Sequence, residues 1–260
     1  MSQQFQKYHG AGNDFIIIDN RQNTFTPEKD VIERLCRRKF GIGADGLMLL
    51  ESSEEADFYM RYFNSDGKES TMCGNGGRCI VAFAYDQGLI DKNPHFLASD
   101  GMHEAVIRDD NLVALKMQDV ERVRTFDDHY FVDTGSPHYV RFVDDPEKVN
   151  VYEEGRNIRY NSQFSETGVN VNFVSLEEGD QISIRTYERG VENETLACGT
   201  GAVASAISAY LRSHTDKTSY TVNARGGRLE VTFKPTGNRF TDVWLTGPAV
   251  FVFSGTVDVS

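Results

Sequence analysis

Two short segments of the chain carry the same arrangement of reactive and permissive residues. Cys73-Gly74-Asn75-Gly76 and Cys198-Gly199-Thr200-Gly201 each follow an alternating apolar/polar stretch and a polar loop. Each is followed by small and apolar residues at helical spacing. A cysteine at the start of a helix sits in the partial positive charge of that end, which lowers its pKa and brings a thiolate within reach near neutral pH. Neighbouring glycines let a ligand approach the backbone. The N–H groups of the first turn have no carbonyl within the helix and can bind a carboxylate. One such motif is weak evidence, because cysteine and glycine are common at turns, but two suit a specific chemistry. Inverting a carbon centre removes a proton from one face and returns one to the other. Two thiols do this with one as thiolate base and the other as thiol acid. The carbanion-like transition state needs stabilisation away from water, which two helix N-termini directed at a substrate carboxylate would supply.

The elements that must position these cysteines repeat along the chain. RYFNSDGKESTMCGNGGRCIVAFAY, from Arg61 to Tyr85, resembles RTYERGVENETLACGTGAVASAISAY, from Arg185 to Tyr210, with the cysteines 125 positions apart. Gly43-Ala44-Asp45 lines up with Gly168-Val169-Asn170, Gly12-Asn13 with Gly135-Ser136, and Ala98–Gly101 with Ala224–Gly227, at offsets of 123 to 126. Such a repeat marks two homologous halves. Duplicated halves commonly pack around a pseudo-two-fold axis, which would bring Cys73 and Cys198 to opposite walls of one cleft. FIIID, LMLLE, FYMRYF, HEAVIR and LVALKM read as strands of the first half, and YVRFV, VNVNFVSL, ISIRTY, RLEVTF and DVWLTG as strands of the second. Helices are expected over Glu28–Arg38, Gly76–Gln87 and Gly201–Arg212. The expected fold class is α+β, each half a curved, mostly antiparallel sheet around a central helix. No Gly/Ser/Pro linker is visible, and the join is placed near Asp119–Arg124.

The bulk composition narrows the function classes. A chain of 260 residues can form two domains, each large enough to bury a core. The formal net charge of −12 argues against nucleic acid or an anionic membrane surface as partner. No apolar run is long enough to span a bilayer and the start MSQQFQKYHG lacks a signal-peptide core, so a cytoplasmic location is expected. Cys36, Cys73, Cys79 and Cys198 form no CxxC pair and no zinc-finger spacing, and no nucleotide-binding loop is present. Cys36 and Cys79 read as small buried hydrophobes. Nothing in the sequence calls for a cofactor or a metal.

HGAGNDFIIID (His9–Asp19), FNSDGKESTMCGNGGRC (Phe63–Cys79) and YERGVENETLACGTGA (Tyr187–Ala202) closely resemble diaminopimelate epimerases, and GSPHYV and NVNFV look like that family's intermediate motifs. The resemblance runs in order over essentially the whole chain. It implies interconversion of LL- and meso-diaminopimelate in lysine and peptidoglycan-precursor synthesis, without pyridoxal phosphate. Cys73 and Cys198 match the two catalytic thiols, with His138 and Glu188 the polar residues beside them. Asn13, Asn64, Asn170, Glu188 and Arg189 match substrate contacts, and Gly74, Asn75, Gly199 and Thr200 match the cradle of the reacting carboxylate. The resemblance also implies a homodimer, and a final strand returning to the first half. The halves are then residues 1–118 with 248–260, and residues 119–247.

Two positions depart from the family pattern. Ser136 stands where an asparagine is common in GNPH, and its shorter side chain would need a water or a shifted loop to make the same contact. The Glu188–Cys198 loop is one residue longer than the common form, with Glu192-Asn193 in the place of a glycine. Two other readings compete. A proline or hydroxyproline racemase also uses paired cysteines, but resembles MCGHG where this chain has Met72-Cys73-Gly74-Asn75-Gly76. A cysteine hydrolase pairing Cys73 with His138 would need one thiol, not two.

Overall fold

The segments FIIID and LMLLE are apolar at nearly every position, not at every second one. A strand reads this way when both of its faces are covered. The computed structural model, which describes residues 2–108 and 111–259, places these strands at the centre of a sheet between two helices. Met1, Asp109, Asp110 and Ser260, all within the first half expected from the sequence, lie outside the described residues. The chain divides into two compact units, one made of residues up to Leu115 and from Gly247 onward, the other Lys116–Thr246.

The first unit runs β1 (Ser2–Gly10), β2 (Asn13–Asp19), α1 (Lys29–Cys36), β3 (Gly46–Glu51), β4 (Phe58–Asn64), β5 (Glu69–Ser70), α2 (Gly74–Asp86), β6 (His95–Ala98), β7 (Gly101–Ile107) and β8 (Leu112–Lys116). The second runs β9 (Val123–Thr125), β10 (Tyr130–Asp133), β11 (Pro137–Phe142), a 3-10 turn (Pro146–Lys148), α3 (Val151–Arg159), β12 (Asn170–Leu176), β13 (Gln181–Glu188), β14 (Asn193–Thr195), α4 (Gly199–Ser213), β15 (Ser219–Ala224), β16 (Gly227–Thr236) and β17 (Arg239–Pro248). Strand β18 (Val250–Asp258) then pairs antiparallel with β1.

The two units repeat one pairing scheme. In the first, β2 lies parallel to β3 and β4 parallel to β6, while β1–β2, β3–β4, β4–β5, β6–β7 and β7–β8 are antiparallel. In the second, β11 lies parallel to β12 and β13 parallel to β15, with β10–β11, β12–β13, β13–β14, β15–β16 and β16–β17 antiparallel. Each parallel pair requires a crossover. Helices α1 and α3 serve the first pair of their units, and α2 and α4 the second. Left-handed backbone recurs in step: Gly12 with Gly135, Gly43 with Gly168, and Gly67 with Glu192.

One face of the central strands packs on the outer helix. Ile16, Ile18, Leu47 and Leu49 meet Ile32 and Leu35 of α1, and in the second unit Val171, Phe173 and Tyr187 meet Val151 of α3. The opposite faces pack on α2 and α4, which are buried on all sides over Asn75–Ala84 and Gly201–Ala209. Their mixture of small and apolar residues with almost no charge is what a fully enclosed helix requires.

Three expectations are corrected. Helices α2 and α4 begin two residues earlier than periodicity indicated, directly after the cysteines, because glycines at a helix start carry no apolar signal. The helix α3 was not expected, since VYEEGRNIR buries only Val151 and Gly155. The strand β1 was not expected either, because two of its buried positions are the polar Gln3 and Lys7. Met117 N–H donates to Val243 O and Val120 pairs with Phe240, so this stretch lies beside β17.

Candidate active site

In the first unit Cys73 occupies the N-cap of α2 in extended conformation (φ −101°, ψ 130°), and its carbonyl accepts the first helical bond from Gly77 N–H at 2.7 Å. The side chain therefore stands at the positive end of a buried helix. Opposite it comes Asn13, delivered by the tight β1–β2 turn in which Ala11 and Gly12 both have positive φ (51° and 85°), as a two-residue hairpin loop demands. Asn13 Oδ1 accepts from Asn75 Nδ2 (3.2 Å) and from the Cys73 thiol (3.7 Å), while its Nδ2 donates to Asp45 (2.7 Å). Asp45 is held by Arg38 (2.8 Å), and Asp14 by Arg38 and Lys7 (2.6 and 2.7 Å). Burial would raise the carboxyl of Asp14, but the hydrogen bonds and charges of Arg38 and Lys7 outweigh it and hold the pKa at about 2. Asn64 is exposed at the end of β4, where its carbonyl closes the turn through Gly67 N–H at 2.9 Å.

In the second unit Cys198 caps α4 in the same extended conformation (φ −116°, ψ 113°), only 6% exposed, with Thr200 Oγ1 3.4 Å from its sulfur. Gly201 is required here: a Cβ would stand 2.5 Å from Asn172 Oδ1 and 3.3 Å from Cys198 Sγ. Asn172 is fully buried; its Nδ2 donates to Tyr139 O (3.2 Å) and lies 3.1 Å from His138 Nδ1, while its Oδ1 accepts from Thr186 Oγ1 (2.9 Å). A carbonyl can only accept, so Tyr139 O fixes the amide orientation. Nδ1 of His138 must then be the acceptor and Nε2 must carry the proton. Burial, with a smaller contribution from the charge of Arg189, pulls the His138 pKa down to about 3. His138 therefore stays neutral and has no lone pair left for a hydrolase-type general base.

Asn170 is buried and donates to Ser136 Oγ (2.8 Å) and Pro137 O (3.2 Å), while its carbonyl accepts from Arg189 N–H (2.9 Å). Arg189 reaches Thr167 O and Ser136 Oγ at 3.0 and 3.4 Å. Glu188, half-buried at the end of β13, accepts from Thr195 Oγ1 at 2.9 Å. Asn13 thus meets Cys73 and Asn75 in the first unit, while Asn64 is engaged only in its own turn and strand pairing. Ser136, His138, Asn170, Glu188 and Arg189 gather in the second with Cys198, Gly199 and Thr200.

A family model described as diaminopimelate epimerase matches residues 5–123 and 130–252. A diaminopimelate epimerase of Flavobacterium psychrophilum is 50% identical over 96% of this chain and 98% of its own length. That of Chlorobaculum tepidum is 44% identical over 95% and 98%. The chain belongs to the diaminopimelate epimerase family. It is accordingly an enzyme, an epimerase. Among solved structures, a phenazine biosynthesis protein of the PhzF family from Bacillus anthracis superposes with a TM-score of 0.78 at 16% identity, each chain covered to 99%. A hydroxyproline epimerase from Agrobacterium vitis does so with 0.70 at 15%, over 98% and 92%. At those identities the likeness concerns the fold.

Both departures from the family pattern have a local structural account. Ser136 binds the two polar residues of its neighbourhood directly, through Asn170 and Arg189. Glu192, in the place of a glycine, has φ 56°, which costs a non-glycine residue about 1 kcal/mol or more. Its carboxylate offsets this by accepting from Gly190 N–H (3.1 Å) and Tyr187 OH (3.2 Å) and lying 3.4 Å from Arg159 Nε. Sequence reasoning missed the ionic straps behind each cysteine loop. Arg185 grips Glu194 through two bonds of 2.7 Å, and Arg61 grips Glu69 at 2.8 and 3.1 Å. Their signal was present, since the two pairs sit at matching places in the repeat. Among the described residues no group of three or more His, Cys, Asp or Glu stands where it could hold a metal ion, and no helix is long and apolar enough to cross a membrane.

The buried His138 makes a pH prediction. Its folded pKa of about 3 lies below the ordinary 6.5, so below pH 6.5 the unfolded chain gains a proton that the folded protein refuses. This residue's share of stability is full above pH 6.5 and declines as pH falls toward 3. The urea midpoint of His138→Gln should consequently fall less than that of the parent between pH 7 and pH 5. Equal falls would show that His138 titrates alike in both states.

Proposed function

We propose that this protein interconverts LL- and meso-2,6-diaminopimelate by a two-base mechanism without pyridoxal phosphate, supplying lysine and peptidoglycan-precursor synthesis in the cytoplasm. The observation that carries the proposal is the repeated cap: in both units a cysteine precedes the first turn of a buried helix. One thiolate removes the α-proton, the other thiol delivers a proton to the opposite face, and the roles exchange in the reverse direction. First-turn amides around Gly74, Asn75, Gly199 and Thr200 stabilise the carboxylate as negative charge develops on it. Asn13, Asn64, Asn170, Glu188 and Arg189 receive the substrate's polar groups. His138, as a neutral Nε2–H donor, supports the cysteine of its own unit.

The proposal extends to a homodimer. Phe251, Val252 and Phe253 of β18 are each 44–49% exposed, on a strand whose described partner is β1 alone. An apolar edge strand of this kind is normally covered. Light scattering should give twice the chain mass, and a Val252→Lys variant should shift toward the monomer; a monomeric parent would end this part of the reading.

The test of function is incubation of the reduced protein with LL-diaminopimelate in deuterium oxide without added cofactor. Appearance of the meso form with α-deuterium is the expected result. Turnover of L-proline in its place would move the chain to racemase chemistry.

A further inference from the structure

The chain leaves the first sheet for Cys73 at a shared edge. Strand β3 pairs with β4 along Tyr59–Asn64, so β5 and β6 divide the other edge of β4 between them, β5 at Tyr62 and Phe63 and β6 at Phe58 and Tyr59. Strands β6 and β7 are joined by a two-residue turn, Ser99-Asp100, with Ala98 paired to Gly101 across it. Both side chains of this turn reach the segment that runs from β5 to Cys73. Ser99 Oγ donates to Ser70 O (3.3 Å), and Asp100 Oδ1 accepts from Met72 N–H (3.3 Å).

Asp100 is itself held in place. His103 Nε2 lies 3.2 Å from the same Oδ1. The His103 ring stacks on its cross-strand neighbour Phe96 with centroids 5.1 Å apart, and Phe96 stacks on Phe58 at 5.2 Å, so the sheet fixes the imidazole. Burial would raise the Asp100 carboxyl, but the bonds from His103 and Met72 outweigh it and hold the pKa below the ordinary carboxylate value. An ionised carboxylate can only accept, so Nε2 of His103 is the donor. Met72 is coupled to the start of α2 in two ways. It adjoins Cys73 in the chain, and its sulfur lies 3.1 Å from where a Cβ at Gly77 would stand, Gly77 being the residue whose N–H bonds to Cys73 O.

We infer that Asp100 is a positioning residue for the reaction, its carboxylate clamping the loop that delivers Cys73. The inference rests on the assignment of Cys73 as one of the two acid/base thiols. Misplacing a reacting group by about 1 Å can cost 100-fold in rate, so a clamp one residue from the thiol has leverage although it acts only through Met72.

Asp100→Ala tests this in the deuterium assay, followed from both isomers. Epimerisation needs Cys73 in either direction and should fall by about 10- to 100-fold. Deuterium should still enter the isomer that Cys73→Ala exchanges, while its entry into the other isomer falls with epimerisation. A merely structural loss would lower the share of folded enzyme and slow both isomers by one factor. Asp100→Asn keeps an oxygen for Met72 N–H and should recover most of the rate. Amide hydrogen exchange at Met72, which needs no substrate, reads the clamp itself. It should quicken about fivefold or more in Asp100→Ala and stay close to the parent in Asp100→Asn. Failure of the epimerase reading would show in the parent, which would then not invert diaminopimelate, and the amide exchange would still decide the clamp. With an inverting parent, an Asp100→Ala variant that inverts as fast, slows both isomers alike or leaves Met72 exchange unchanged would overturn the inference. So would an Asp100→Asn variant no better than alanine.

Discussion

Replacing either Cys73 or Cys198 with alanine should lower the rate of epimerisation by about 100- to 10,000-fold, the usual worth of a positioned acid or base. Inversion needs both groups in one turnover, so the two losses should be of similar size and the double variant should be little worse than either single one. A sharper signature lies in isotope exchange. A variant that keeps one thiol can still remove the α-proton from the isomer that presents it on that side, and return deuterium to the same face. Each single variant should therefore exchange one isomer slowly without inverting it, and the two variants should prefer opposite isomers. Measurement by NMR of α-proton loss beside chiral chromatography separates exchange from inversion. Retention of full epimerisation by either variant would remove that cysteine from the mechanism. Serine is a weak substitute, because a hydroxyl at the same cap is far less acidic than a thiol.

Asn172→Ala should produce the second large effect, on stability as well as rate. The side chain is inaccessible to solvent and joins His138 Nδ1, Tyr139 O and Thr186 Oγ1 beneath the first turn of α4. Truncation strands three buried polar groups, each costing about 1–3 kcal/mol when unmade, and opens a cavity beside Gly201. A loss of about 3 kcal/mol or more is expected, with a fall in melting temperature of about 6–12 °C. His138 also loses the donor that fixes its tautomer, and the floor under Cys198 is loosened, so kcat should fall in the protein that remains folded. A melting temperature within a degree of the parent would mean that the amide is not holding these groups. Asn172→Asp separates the causes: it keeps the volume but replaces the donor to Tyr139 O with an acceptor, so it should destabilise without a cavity.

Much of the architecture was legible because the chain says it twice. The offset near 125 residues aligned Gly12 with Gly135 and Gly43 with Gly168 and marked two homologous halves, and the structure gives these glycines the same left-handed backbone and the two units the same pairing scheme. Even the helix α3, hidden by its polar composition, sits where α1 sits in the first unit. The cysteine caps were legible as well, because Cys-Gly-X-Gly occurs twice, each time ahead of a small-residue helix. Positions such as Lys7, Arg38 and Asp45 were not legible, because a charged side chain far along the chain gives no sign of its partner.

The sequence by itself determined which atoms stand at the two repeated cysteine loops and most of the strands and helices around them. Local steric preference and hydrophobic period depend on residues only a few positions apart. Only the tertiary structure decided the electrical state of those atoms. Whether Asn170 meets a ligand or locks Ser136 and Arg189, whether His138 is an acid or a neutral donor, and whether Asp100 is solvated or bonded to the Met72 amide all depend on burial and on hydrogen-bond partners distant in sequence. Desolvation is the physical reason. The same imidazole that titrates near neutrality in water is held neutral down to a pKa of about 3 when its surroundings exclude water.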